Sequence, residues 1–201
     1  MKYILTQNKI NIGNKTLYQI KALECFGKVK QGDLGGYIES YENLSQHDSA
    51  WISGNAWVYG DAKVFGDAKV FDNAKVFDNA KVFDNAWVSG DARVYGDAKV
   101  FGNAWVSGYA KVFDNAKVSG SAWVYGDAKV FGNARVYGDA KVSGNATVSD
   151  NVMITGNAKV FGYAKISGES FVSGNSIIAG ESKISDAAWI TTQIVTDNER
   201  R

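Results

Sequence analysis

The 201-residue chain has no proline, one cysteine (Cys25) and one histidine (His47). A lone cysteine cannot form an internal disulfide framework, which fits a reducing compartment. A lone histidine removes most metal sites and most Ser/His or Cys/His catalysis. The absence of proline excludes collagen-like and Pro-rich segments. Neither sign of charge dominates: 22 Lys+Arg against 21 Asp+Glu leave a net +1, so no bulk charge draws the chain to nucleic acid or to an anionic membrane. No apolar run approaches the roughly 18 residues of a membrane span. The start, Met1 to Asn8, lacks the apolar stretch of a signal peptide. With 45% hydrophobic residues the chain is expected to fold, as one domain, in the cytoplasm.

What is present is a repeat of six residues. An aliphatic residue stands at Ile52, Val58, Val64, Val70 and every sixth position to Ile190, 24 units in all, each Val or Ile. Two residues before it lies a small residue: 20 Ala, Ser170, Ser176, Ser182 and Val152. Two residues after it lies Gly or Asp in 23 of the 24 units, usually followed by Asp or Asn. Alternation puts Ala and Val on one face of a short strand, and Gly-Asp, Gly-Asn or Asp-Asn turns the chain. Tandem hairpins fail, because each would join one strand's Ala/Val face to its neighbour's Lys/Phe face. A corner at each turn keeps every Ala and Val inside, which makes a solenoid.

Three corners per coil make 18 residues. Trp51, Trp87, Trp105 and Trp123 differ by multiples of 18, and Asp replaces the corner Gly at Asp78, Asp114, Asp150 and Asp186, each 36 from the next. The units thus predict about eight triangular coils without loop insertions. The pattern resembles the hexapeptide repeat of left-handed parallel β-helix proteins, and the left hand is implied by that resemblance. The segment Leu34-Gly35-Gly36-Tyr37-Ile38-Glu39-Ser40, then Asn43-Leu44-Ser45, is similar to the opening of hexapeptide-repeat proteins of bacteria and their phages. Some of those are loosely labelled transferase or polymer-forming, and the resemblance implies a bacterial cell or a phage-infected host as the setting.

The expected organisation is a β-rich cap at 1–43, a β-helix at 44–191 and a charged tail at 192–201. Strand-like stretches in the cap are Tyr3–Thr6, Lys9–Ile12 and Thr16–Leu23, with a turn at Ile12-Gly13-Asn14-Lys15. Ile38 and Leu44 are six apart but sit in the phase of the small residue. Cys25 reads as a buried apolar residue.

Members of the resembled class are mostly acyltransferases with a catalytic His near a subunit junction and often a loop that breaks the repeat. This chain has no such loop, and His47 precedes the first unit. No catalytic residue, metal site or cofactor is therefore expected, and the acyltransferase homologue, active or decayed, stands as the alternative. The outward residues are more telling. Stacking by 18 lines up Tyr59, Phe77, Tyr95, Phe113 and Phe131 beside Lys75, Arg93, Lys111 and Lys129, and elsewhere lines up Trp87, Trp105 and Trp123. The columns either cover their own strands or form an interface with a second or third copy or an unidentified host protein. A single-stranded nucleic acid is a third reading. Against it, 11 corner Asp between Asp61 and Asp150 offset 11 face Lys/Arg between Lys63 and Lys141. The expected function is that of a non-enzymatic rod acting as an interaction module, and the phage-like resemblance implies, as a specific form of it, one that binds and blocks a host component.

Overall fold

The computed structural model describes residues 1–196. Each six-residue unit contributes one strand, in most cases two residues long, such as Lys63–Val64, Lys69–Val70 and Lys75–Val76. Strands 18 residues apart pair in parallel and in register, Val58 with Val76, Val76 with Val94 and Val94 with Val112. Three sheets of 11, 9 and 8 strands result. The 11-stranded sheet, carrying Val58, is the first face, the 8-stranded sheet, carrying Val64, the second, and the 9-stranded sheet, carrying Val70, the third. The protein is an all-β parallel solenoid, consistent with a left-handed β-helix. The interior is a column of Ala and Val with no exposed surface from Ala56 to Val148. Each Val spans the middle of a side while the small residue lies next to a corner, where three converging walls leave little volume.

The corners are left-handed. Gly60, Gly66 and Gly96 have φ of 69°, 73° and 67°, and Asp takes the same conformation at Asp72, Asp78, Asp84, Asp114, Asp150 and Asp186. Asp tolerates this region better than most residues, and here its carboxylate has a specific task. Asp78 Oδ2 accepts the N–H of Gly96 at 3.2 Å, and Asp114 and Asp150 do the same for Gly132 and Gly168 at 3.2 and 2.9 Å. Each such Asp satisfies a corner N–H one coil ahead. The alternation of Asp and Gly along that corner follows, because an Asp stacked on an Asp would bring two carboxylates together.

Two expectations about the beginning are corrected. Ile38 pairs with Val58 and Leu44 bridges to Val64, so both occupy the aliphatic column, not the small-residue column. Their phase differs because the side between Leu44 and Ile52 is eight residues long rather than six. The extra two residues fall in Ser45-Gln46-His47-Asp48-Ser49, so the insertion-free run is 52–190 and not 44–191. The boundary at 43 cuts the first coil. Ile38, Leu44 and Ile52 are its three inward residues, and the solenoid has about nine coils rather than eight, about 40 Å at ~4.8 Å per strand.

At the other end the tail begins later than 192. Ile194–Thr196 is a strand on the third face, with Val195 paired to Ile178 and 7% exposed. It closes the ninth coil because Val195 supplies the missing inward aliphatic, one residue early. The remainder of the expected charged tail, 197–201, lies outside the described residues.

The cap is a hairpin of β1 (Tyr3–Ile12) and β2 (Lys15–Ala22), turned at Gly13 with φ 60°. β2 pairs antiparallel with β3 (Leu34–Ile38), which in turn pairs parallel with Trp57–Val58. The hairpin thus extends the first face while its start crosses the open end of the coils. Lys2 Nζ donates to the carbonyls of Asp48 and Ala50 at 2.8 and 2.9 Å, and the Tyr3 hydroxyl donates to the Leu44 carbonyl at 2.7 Å. Burial pushes the Lys2 ammonium below and the Tyr3 phenol above their ordinary pKa values.

The Leu-Gly-Gly-Tyr segment owes its glycines to crowding. A Cβ on Gly35 would collide with Ile20 Cγ1 and meet the Ile52 carbonyl at 2.6 Å, and one on Gly36 would meet the Ala56 carbonyl at 2.5 Å. Asn43 is fully buried and its side chain makes four hydrogen bonds. Its Oδ1 accepts the N–H of Glu39 and Ser40, and its Nδ2 donates to the carbonyls of Gly60 and Ala62. It completes the first corner, where the coil has no repeat of its own.

Candidate interaction surface

The outward residues flanking each Val form ranks along the solenoid axis. On the first face Tyr59, Phe77, Tyr95, Phe113 and Phe131 are half-buried, with ring centroids 4.8 to 5.1 Å apart and planes within 5° of parallel. The predicted column is therefore present as a continuous stack, and each inner ring spends both faces on its neighbours. Burial and the charges of Asp78 and Asp114 raise the Tyr59 and Tyr95 phenols above their ordinary values. On the second face Phe65, Phe83 and Phe101 stack in the same way, at 4.9 Å and within 2°.

Cations form ranks as well. Lys75, Arg93, Lys111 and Lys129 are paired in register on the first face. Lys63, Lys81, Lys99, Lys117 and Arg135 are paired on the second. Like charges directly opposite on neighbouring strands repel. None of these nine takes part in an ion pair; the ion pairs among the described residues are Lys2–Asp48 and Lys15–Glu39, both in the cap and first coil.

The third face differs. Trp87, Trp105 and Trp123 follow one another with centroids 5.3 and 5.2 Å apart, but the middle indole is turned 74° and 68° to its neighbours. Trp105 Nε1 donates to the Ser89 hydroxyl at 3.3 Å, which holds that turn. Trp87 and Trp123 are 39% and 40% exposed. The row forms one wall of a groove of about 660 Å³, whose other residues include Asp67, Asn85, Asn103 and Ser121 from the adjoining corner and Phe26–Val29 from the cap. The overhang by residues 26–29 was not foreseeable, since nothing in a short polar loop says where it folds. The Trp column itself was legible from its spacing of 18.

The residues that could carry chemistry are scattered. His47 is exposed in the lengthened side of the first coil, and its imidazole engages no carboxylate. Cys25 is exposed, correcting the expectation of burial. It sits in the loop between β2 and β3, where its sulfur accepts the Gln31 N–H at 3.4 Å instead of packing in the core. No cluster of three or more His, Cys, Asp and Glu able to hold a metal occurs among the described residues. Among the described residues no helix is long and apolar enough to cross a membrane.

The YdcK beta solenoid repeat family matches residues 92–108, about one coil. A search of curated proteins gives no match. The matched repeat and the observed coils together support a β-helix repeat protein.

Proposed function

We propose that this solenoid is a non-enzymatic rod that works by display, and that its first face docks a protein partner carrying an acidic surface. The observation that carries the reading is the in-register rank of Lys75, Arg93, Lys111 and Lys129 beside the stacked Tyr59–Phe131 column. Asp91 and Asp127 line the same groove as these cations but make no direct ion pair with them, so repulsion along the rank is only partly offset, and an acidic partner relieves it further. The aromatic column supplies an apolar centre and the lysine heads a polar rim, the anatomy of a protein interface. The self-stacked rings favour a protein over single-stranded nucleic acid, because each inner ring of the column already has both faces stacked and cannot receive a base.

The partner is either a second copy of the chain, as a dimer or trimer, or a component of a host cell. The resemblance of the opening segment to phage proteins favours a host component that the rod blocks. The exposed, unengaged imidazole of His47 supports a non-enzymatic role over acyl transfer. Replacing Phe77, Tyr95 and Phe113 together by Ser tests the reading. The fold should survive, since Ser149 and Ser167 already hold that column. Self-association in sedimentation, or capture of an acidic partner, should be lost, and before mutation it should weaken with salt. Unchanged mass and undiminished capture would assign the column to strand covering alone.

A further inference from the structure

The groove along the third face is a separate site, and the geometry points to an extended, neutral polysaccharide as its ligand. The first argument is the state of the rings. In the columns of the first and second faces every ring stacks within 5° on its neighbour, whereas Trp105 stands about perpendicular to both Trp87 and Trp123. Indole faces in this row are therefore not consumed by parallel stacking. Lys69 lies over Trp87 at 5.9 Å, Phe71 packs edge-on with the same ring at 6.0 Å, and Lys141 lies over Trp123 at 4.8 Å, whereas neither lysine lies over the half-buried Trp105. An indole face accepts the flat C–H face of a pyranose ring.

The second argument is the rank beside the tryptophans. Asn85, Asn103 and Ser121 stand one per coil in the same groove. Elsewhere on the solenoid stacked amides bond one another, as Asn55 does Asn73 and Asn133 does Asn151. The side chains of Asn85 and Asn103 make no hydrogen bond within the chain and face solvent, donors and acceptors available to sugar hydroxyls. Aromatic and amide groups recur together every coil, ~4.8 Å, about the length of one sugar unit in an extended chain. A ligand that repeats along the rod matches both ranks.

The third argument is charge. The groove's own ionic residues are Lys28, Lys69 and Asp67, gathered at its cap end; Lys141 stands over Trp123 at the other end, and the lining from Asn85 to Ser121 between them is uncharged. A polyanion would need cations along its whole length. A peptide strand would need a free sheet edge, and the backbone here is engaged in coil pairing, as Trp87 N–H is to the Ala104 carbonyl.

The test is titration of the full chain with β-linked gluco-, xylo- and chito-oligosaccharides of two to six units, followed by calorimetry and indole fluorescence. One series should bind saturably, with affinity rising at least tenfold from two to four units. Trp105→Ala and, separately, Trp87→Ala should weaken it at least tenfold with the circular-dichroism spectrum unchanged, and Asn103→Ala should weaken it less. The Phe77/Tyr95/Phe113 triple Ser variant should bind the sugar normally, which separates this site from the first-face interface. The proposal is overturned if no series binds with length dependence, if Trp87→Ala and Trp105→Ala leave binding intact, or if oligo-dT or an acidic protein occupies the groove in place of sugar.

Discussion

Individual residues keep this solenoid in shape by two rules, an apolar interior and satisfied corners. Val100 is fully buried among Ala and Val. Val100→Asp places an unpaired charge there, and a loss of about 3–5 kcal/mol is expected, read as a large fall in thermal midpoint. Asp114, with φ 56° and its carboxylate on the Gly132 N–H, obeys the second rule. Asp114→Ala loses the hydrogen bond and keeps the left-handed backbone, so it should cost about 1–2 kcal/mol in urea unfolding. Asp114→Asn should cost much less, because Asn tolerates the conformation and retains an acceptor. Glu39 adds a pH dependence. Its carboxylate meets Lys15 Nζ at 2.8 Å and accepts the Gly60 N–H at 2.7 Å, and these hold its pKa below the ordinary 4.5. A depressed carboxylate stabilises the folded state fully above 4.5 and loses that contribution as pH falls through the lowered value. Acid unfolding should therefore be steeper below pH 4.5 in the wild type than in Glu39→Gln, which cannot titrate.

Among the elements, the first coil carries the strongest local constraints. It has one lengthened side, so it relies on contacts the repeat does not supply: the Asn43 hydrogen bonds, the Lys2 and Tyr3 bonds across the end, and the close passage of β3 over Ile20 and Ile52. Gly36→Ala brings a methyl against the Ala56 carbonyl and Ile52 Cγ2. It should loosen the pairing of β3 with Trp57–Val58 and speed amide exchange in β2 and β3, while exchange near Val124 stays at the wild-type rate. Uniformly faster exchange would mean that cap and coils unfold as one unit. The same element explains two misread features. Ile38 and Leu44 follow the six-residue period in the wrong phase, and only their pairing with Val58 and Val64 shows that two residues are looped out after them.

For the molecule as a whole, each coil touches only the coils above and below it, so stability is close to a sum over coils and their contacts. Deleting residues 92–109 joins Asp91 to Ala110, preserves every face and brings Trp87 next to Trp123. The shortened chain should fold with the same β spectrum and a modestly lower midpoint. Deleting nine residues instead puts half of the coils out of phase, so that Ala and Val point outward, and should give aggregation. Equal behaviour of the two deletions would contradict the three-sided coil.

The three-sided coil, its inward Ala and Val, its Asp-for-Gly corners and its columns of like side chains were all legible from the chain, because a period of six repeated without interruption leaves only one way to keep apolar residues on one side. The Trp and Tyr/Phe columns follow from the same arithmetic. How the rings in a column meet was decided in three dimensions. Parallel stacking of Tyr59 to Phe131 and the turned Trp105 depend on side-chain torsions and on Ser89, which no spacing reveals. The placement of Cys25, the overhang of Phe26–Val29 on the Trp row and the closing of the last coil by Val195 belong there too. They lie outside the repeat, where local pattern does not constrain the chain and long-range packing does.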